Sequence, residues 1–273
     1  MKKLGHMAGH ILMVIVALLF LTPVVWMILL SLKAEGSSWF QSSGFLGLNL
    51  TLSNYSKVLS QAPIFGWMGN SLIVACSSTL LILVFASMAA FTLSRNPFPG
   101  SKVLFFLFLS GMMIPSEATL IPLYIQMKDM GLIGSLESLI LPAAAAPLGI
   151  FVMKQFFDGL PKEMEEAARI DGAGAFRIWW NIFLPLSRPA MSALGIFSFI
   201  GAWNDYLWPL VSISNKAYMT ITLGLPSFQS AYLQQYSLPM TANALATIPV
   251  LIVFILFQKH IIKGIAFTGG KEE

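Results

Sequence analysis

Charge is what this sequence has least of. Asp, Glu, Lys and Arg make up 10% of its 273 residues, against roughly 25% in a soluble globular domain. Hydrophobic residues make up 56%, and mean hydropathy is +0.76. So few charges cannot cover a water-facing surface, which excludes a soluble protein and leaves lipid as the main solvent. Cysteine is nearly absent. Cys76 stands alone, so no intrachain disulfide can form. The three histidines, His6, His10 and His260, have no partner at metal-ligand spacing, and no bound metal is expected. No stretch fits the phosphate-cradling G-x-x-x-x-G-K-[ST] loop; Gly270-Lys271 lacks both the earlier glycine and a following Ser or Thr. The chain is therefore expected to bind no cofactor and to be no ATPase. Its basic pI of about 9.2 fits Lys and Arg gathered in cytoplasmic loops and calls for no nucleic-acid partner.

What the sequence has is long apolar runs. Six are long enough to cross a bilayer, which takes roughly 20 residues each. They run over 11–30, 67–93, 103–125, 139–157, 189–210 and 242–262. Lipid offers no partner for loose backbone groups, so such spans must be helices and the fold all-α. The opening run exceeds the ~7–15 apolar residues of a secretory leader and no A-x-A-like site follows it, so it is expected to stay as the first span. With the N-terminus in the cytoplasm, only Lys33, Lys57, Lys128 and Lys216 fall outside; the other twelve of sixteen Lys and Arg fall inside. That bias predicts a multi-pass protein with both termini cytoplasmic. Three regions follow: 1–66, the first span with an outer loop; 67–262, the core; and 263–273, a cytoplasmic tail. In the outer loop, Leu50, Leu52, Tyr55, Val58 and Leu59 could line one face of an interfacial helix.

The densest polar segment is "EEAARIDGAGAFRIWWNIFLPL", Glu165–Leu186. It sits within a cytoplasmic connection at about 158–188 and fits E-A-A-x3-G-x9-I-x-L-P through Glu166, Ala167, Ala168, Gly172, Ile182, Leu184 and Pro185. Acidic residues suit the first turns of a helix, where the dipole favours them. Asp171-Gly172 reads as its stop, because glycine enters the left-handed conformation at little cost. A second short helix follows, interrupted by Pro185 and Pro189. Ala167 and Ala168 make a thin ridge that another surface can approach closely. A helix lying on lipid headgroups would share the charge pattern but not the spacing.

This segment resembles the EAA loop of binding-protein-dependent ABC importers. "WMGNSLIVA" (67–75), "MIPSEATLIPLY" (113–124), "FIGAWNDYLWPL" (199–210) and "FQKHIIKGIAFTGG" (257–270) are similar to stretches of carbohydrate-importer permeases. The nearest type is the shorter membrane subunit of the maltose-type importer. The resemblance implies a type I ABC importer permease fold in a bacterial plasma (inner) membrane. It implies as partners a second permease in a heterodimer, two copies of a cytoplasmic ABC ATPase that binds ATP and Mg, and an external sugar-binding protein. It makes the EAA segment a coupling helix. Glu165 or Glu166 would pair with a basic residue of the ATPase, Ala167 and Ala168 would permit close docking, and Asp171-Gly172 would form the joint. Ile182, Leu184 and Pro185 would anchor the second helix. The tail at Thr268–Gly270 could reach toward the ATPase.

Ionisable residues at membrane depth are costly and usually functional. Asp205 is the foremost candidate for the transport path. On a continuous helix it would share a stripe with Gly195, Ser198 and Ala202. Asn204, Trp203, Tyr206 and Trp208 lie beside it, and Asn243 and Glu117 are further candidates. Aromatic faces and amides suit sugar recognition, but Trp and Tyr also anchor helices at membrane interfaces. The same machinery could carry polyamine or phosphate. An integral-membrane enzyme would need a His, Asp or Glu partner for Asp205, and a secondary transporter would show inverted repeats; neither is evident.

Overall fold

Fourteen helices with short turns make up the described chain, with a lone β-bridge between Lys33 and Leu50. The computed structural model describes residues 2–34, 50–229 and 236–269, with side chains at 9–34, 50–229 and 236–257. Most of the outer loop at 35–49, the polar stretch at 230–235 and the end of the tail at 270–273 lie outside it. The helices are α1 (Lys2–Leu32), α2 (Ser53–Gln61), α3 (Ile64–Arg95), α4 (Ser101–Gly111), α5 (Ser116–Asp129), α6 (Glu137–Ile140) and α7 (Pro147–Asp158). They continue as α8 (Glu163–Ile170), α9 (Ala175–Ile178), α10 (Leu184–Leu186), α11 (Arg188–Asn204), α12 (Leu207–Ser212), α13 (Ile221–Gly224) and α14 (Ser237–Gly269). A 3-10 turn links α6 to α7, and a π-turn over Trp179–Phe183 links α9 to α10.

Four stretches are long and apolar enough to cross a membrane: Gly9–Leu32, Ile64–Arg95, Glu137–Asp158 and Ser237–Phe257. Two bent pairs, α4 with α5 and 175–186 with α11, raise the number to six if each is one span. The third expected span, 103–125, is therefore not one helix. It bends by 103° between Gly111 and Ser116, where Pro115 has no N–H to donate and pushes its predecessor out of the helical region. The fifth, expected over 189–210, ends at Asn204, with extended backbone at Asp205.

The chain divides into two units. The first comprises Met1–Gly66 with Gly224–Ile248. Here α1 is apolar all round and exposed over most of residues 9–28, as suits a helix solvated by lipid or by another chain. Its C-terminal carbonyls, which have no partner inside the helix, are met from outside. Asn54 Nδ2 donates to Ser31 O and Lys33 O at 2.9 and 2.7 Å, and Thr241 Oγ1 donates to Ser31 O at 3.1 Å. The inward face of α2 is thus Asn54 and Val58. Of the expected apolar face, Val58 turns inward, Leu59 is exposed, and the exposed Leu50 and Leu52 precede the helix.

The second unit comprises Trp67–Leu223 with Pro249–Glu273. One of its cores joins Ala90 and Phe91 of α3, Met153 and Phe157 of α7, Ile178, Trp179 and Phe183 of the EAA segment, and Leu194 of α11. Close approach of α7 to α3 requires Gly149, since a Cβ there would lie 3.0 Å from that of Ala86 and 3.2 Å from Ile82 Cγ2. A second core packs Val74, Met127, Leu139, Trp208, Ile213 and Leu223. Beside it, Asn70 Nδ2 donates to Ala217 O and Met219 O, both at 2.9 Å, and Ser71 Oγ accepts from Ile221 N at 2.8 Å.

Candidate functional site

Three acids, Glu163, Glu165 and Glu166, open α8, and Arg169 stands in its last turn, both favourable to the helix dipole. Asp171 caps it and Gly172 follows at φ +77°. Ala173 N donates to Ala168 O at 2.9 Å and Gly172 N to Arg169 O at 3.0 Å, the paired bonds of a left-handed helix stop. A Cβ on Gly172 would meet nothing within 4 Å, so glycine is needed there for its backbone and not for space.

The helix presents two unlike faces. Glu163, Met164, Glu166, Ala167 and Ile170 are exposed, Ile170 by 87%. Glu165 is 8% exposed and receives two hydrogen bonds from Arg169, at 2.9 and 2.8 Å. Its carboxylate is already engaged by this chain, so of the two acids only Glu166 is offered outward. The alanines part in the same way: Ala167 is exposed, while Ala168 packs partly against the core. After the glycine, Ile178, Trp179 and Phe183 are the buried anchors. Ile182 and Leu184 pack partly against them, and Pro185 is exposed. Phe183 is fully enclosed, with ring centroids of Phe91 and Phe157 at 5.0 and 5.4 Å.

Sequence reasoning missed what holds this segment. Arg169 Nη2 also donates to Asn96 Oδ1, and the Arg95 guanidinium lies over the Phe183 ring, 5.0 Å from its centroid. Asp158 at the end of α7 accepts from Ser94 at 2.5 Å and from Lys154 at 2.6 Å. The only signal for these contacts was the polar run Ser94-Arg95-Asn96 closing an apolar helix.

The path candidates differ in burial and in partners. Asp205 leaves the expected stripe because the helix has ended; its Oδ1 accepts from Trp208 N at 3.4 Å and its carbonyl from Thr222 Oγ1 at 2.7 Å. Such local side-chain bonding competes with helix continuation. Trp203 is 2% exposed and stacks on Phe199 at 5.9 Å. Trp208 is buried with its indole N–H donated to Ser138 O at 2.9 Å. Both rings are packed within this chain. Asn204 and Tyr206 are exposed beside Asp205. Glu117 is exposed in the first turn of α5. Asn243, in the first unit, donates to Pro239 O of its own helix at 2.8 Å. A cavity of about 460 Å³ lies instead between α3, α11 and α14. Thr79, Leu83, Ser192, Gly195 and Phe199 line it, with Arg188 among them. Its size is that of a small-molecule pocket, and none of the path candidates lines it.

Known proteins are similar to this chain. The chain is 35% identical to the arabinooligosaccharides transport system permease protein AraQ of Bacillus subtilis over 93% of its own length and 92% of that protein's. It is 32% identical to the diacetylchitobiose uptake system permease protein NgcG of Streptomyces coelicolor, over 93% and 85%. It is 31% identical to the trehalose/maltose transport system permease protein MalG of Thermococcus litoralis, over 100% and 98%. The fold matches a chain in the crystal structure of a bacterial ABC transporter involved in import of the acidic polysaccharide alginate. There the TM-score is 0.83 at 22% identity, covering 95% of this chain and 97% of that one. Residues 82–267, which hold the EAA segment, its anchors and the path candidates Glu117, Asp205 and Asn243, match the family model of the binding-protein-dependent transport system inner membrane component. The chain belongs to that family, and is a membrane-embedded transport subunit of an ABC importer.

Proposed function

We propose that this chain is one of two unlike permeases that import a sugar or oligosaccharide, and that α8 takes the push of a cytoplasmic ATPase. The observation that carries the coupling role is the outward face of α8. It leaves Glu166, Ala167 and Ile170 exposed, while Glu165, Ala168 and Phe183 hold the segment from behind. A thin ridge with one acid suits a cleft with a basic residue. Support for the sugar comes from the three relatives named for oligosaccharide or disaccharide transport. Two ATPase copies close on ATP and Mg at the cytoplasmic face, an external binding protein delivers the solute, and both termini lie in the cytoplasm. Asp205, with Asn204 and Tyr206 exposed around it, is the polar group of this subunit that meets the solute.

A tagged chain purified from membranes tests this reading. It is expected to bring down an ATPase, which Glu166→Lys releases. Deleting the gene is expected to abolish uptake of at least one member of a panel of labelled oligosaccharides. Recovery of well-folded chain with no ATPase would overturn the coupling role, and unchanged uptake of every sugar would overturn the cargo.

A further inference from the structure

Gly172 poses a mechanical problem. A left-handed glycine at the end of α8 is a joint, and a joint that bends dissipates a push before it reaches the spans. The segment is fastened on both sides of this joint, and both fastenings end on adjacent residues at the end of α3. Ahead of the joint, Arg169 holds Glu165 Oε1 through Nε and Nη2 and donates through Nη2 to Asn96 Oδ1. Beyond the joint, the Arg95 guanidinium covers the buried ring of Phe183 at 5.0 Å. The same group donates through Nη2 to Phe157 O and to Leu160 O, the latter at 2.6 Å. Phe157 is in the last turn of α7 and Leu160 follows it, so the Arg95 guanidinium ties down the end of that helix.

We propose that Arg95 and Asn96 brace the Gly172 joint, so that α8, the turn bearing Phe183, and the ends of α3 and α7 move as one body. Arg95 is a positioning residue: it touches neither solute nor the outward face of α8. A guanidinium lays its planar face on a ring while its edge donates to carbonyls; an ammonium is a compact point charge on a flexible stem, without that face or fixed fork. This inference rests on the coupling role argued above and concerns what carries the motion, not what supplies it.

The test uses the complete transporter, with both permeases, the ATPase and the binding protein, reconstituted in lipid vesicles. It reads two quantities: the ATPase retained in the complex, and the solute imported per ATP hydrolysed. Arg95→Lys and Asn96→Ala are expected to retain the ATPase. Arg95→Lys lowers import per ATP by roughly tenfold, the scale of one lost charge-assisted contact. Asn96→Ala lowers it in the same direction, and Asn96→Asp, which still accepts from Arg169, keeps the wild-type ratio. A role in folding alone would reduce the amount of complex and leave the ratio of the surviving complex untouched. An unchanged ratio in Arg95→Lys and Asn96→Ala overturns the brace; if Arg95→Lys is lost from the membrane, Asn96→Ala decides by itself. Absence of the ATPase from the wild-type complex would overturn the coupling role itself, whereas an intact complex with unchanged ratios overturns the brace alone.

Discussion

Ala167 and Ala168 are neighbours with different work. Ala167 is exposed, so Ala167→Trp is expected to leave the chain in the membrane at wild-type amounts while abolishing uptake and ATPase recovery. Normal uptake by that variant would sink the docking role of α8. Ala168 packs on the core, so Ala168→Trp is expected to overpack it and cost about 1–3 kcal/mol, seen as a lower melting temperature in detergent. Phe183, enclosed among Phe91 and Phe157, is costlier to remove: Phe183→Ala should destabilise by about 3–5 kcal/mol. At Asp205 the loss should fall on transport. Asp205→Ala removes the acceptor for the Trp208 N–H and is expected to lower uptake more than ATPase retention. Equal uptake would reduce Asp205 to the cap of a helix break.

At the scale of elements, the decisive feature is the stop of α8. Gly172→Ala forces a Cβ into φ +77° and costs about 1–2 kcal/mol, so the variant should fold and transport at a reduced rate. Gly172→Pro cannot reach that φ at all and is expected to abolish uptake with the protein still in the membrane; vesicle uptake assays separate the two. This stop was legible because its causes are local: acids first, Arg169 late, then Asp-Gly. The break after α4 was not. Pro115 bends the chain, yet Pro122 and Pro249 sit inside continuous helices, so a proline alone does not say which outcome its neighbours enforce. Trp203 and Trp208 were illegible for a related reason. An aromatic near an interface can line, anchor or fill, and Trp208 fills because a carbonyl 70 residues earlier, Ser138 O, takes its N–H. Arg95 read as one more inner-face cation until Phe183 and the end of α7 were placed around it.

For the whole molecule, the open choice is whether α4 and α5 together cross the membrane or dip in and return. At 1.5 Å per residue, their 11 and 14 residues make about 16 and 21 Å, and neither alone spans a core about 30 Å thick. Charge favours crossing. A returning pair would invert everything downstream, placing Lys154, Lys162, Arg169, Arg177 and Arg188 outside and reversing the excess of inner-face cations. It would also put α8 where no ATP is found. Crossing keeps the excess and the coupling face together. With Cys76 replaced by Ser, single cysteines at the exposed positions Lys102, Lys128, Lys162 and Lys216 test it in intact cells. A membrane-impermeant maleimide should label Lys128→Cys and Lys216→Cys at once, and Lys102→Cys and Lys162→Cys only after permeabilisation. Labelling of Lys162→Cys from outside, with Lys128→Cys protected, would make the pair a re-entrant loop. It would also remove α8 from the reach of a cytoplasmic motor.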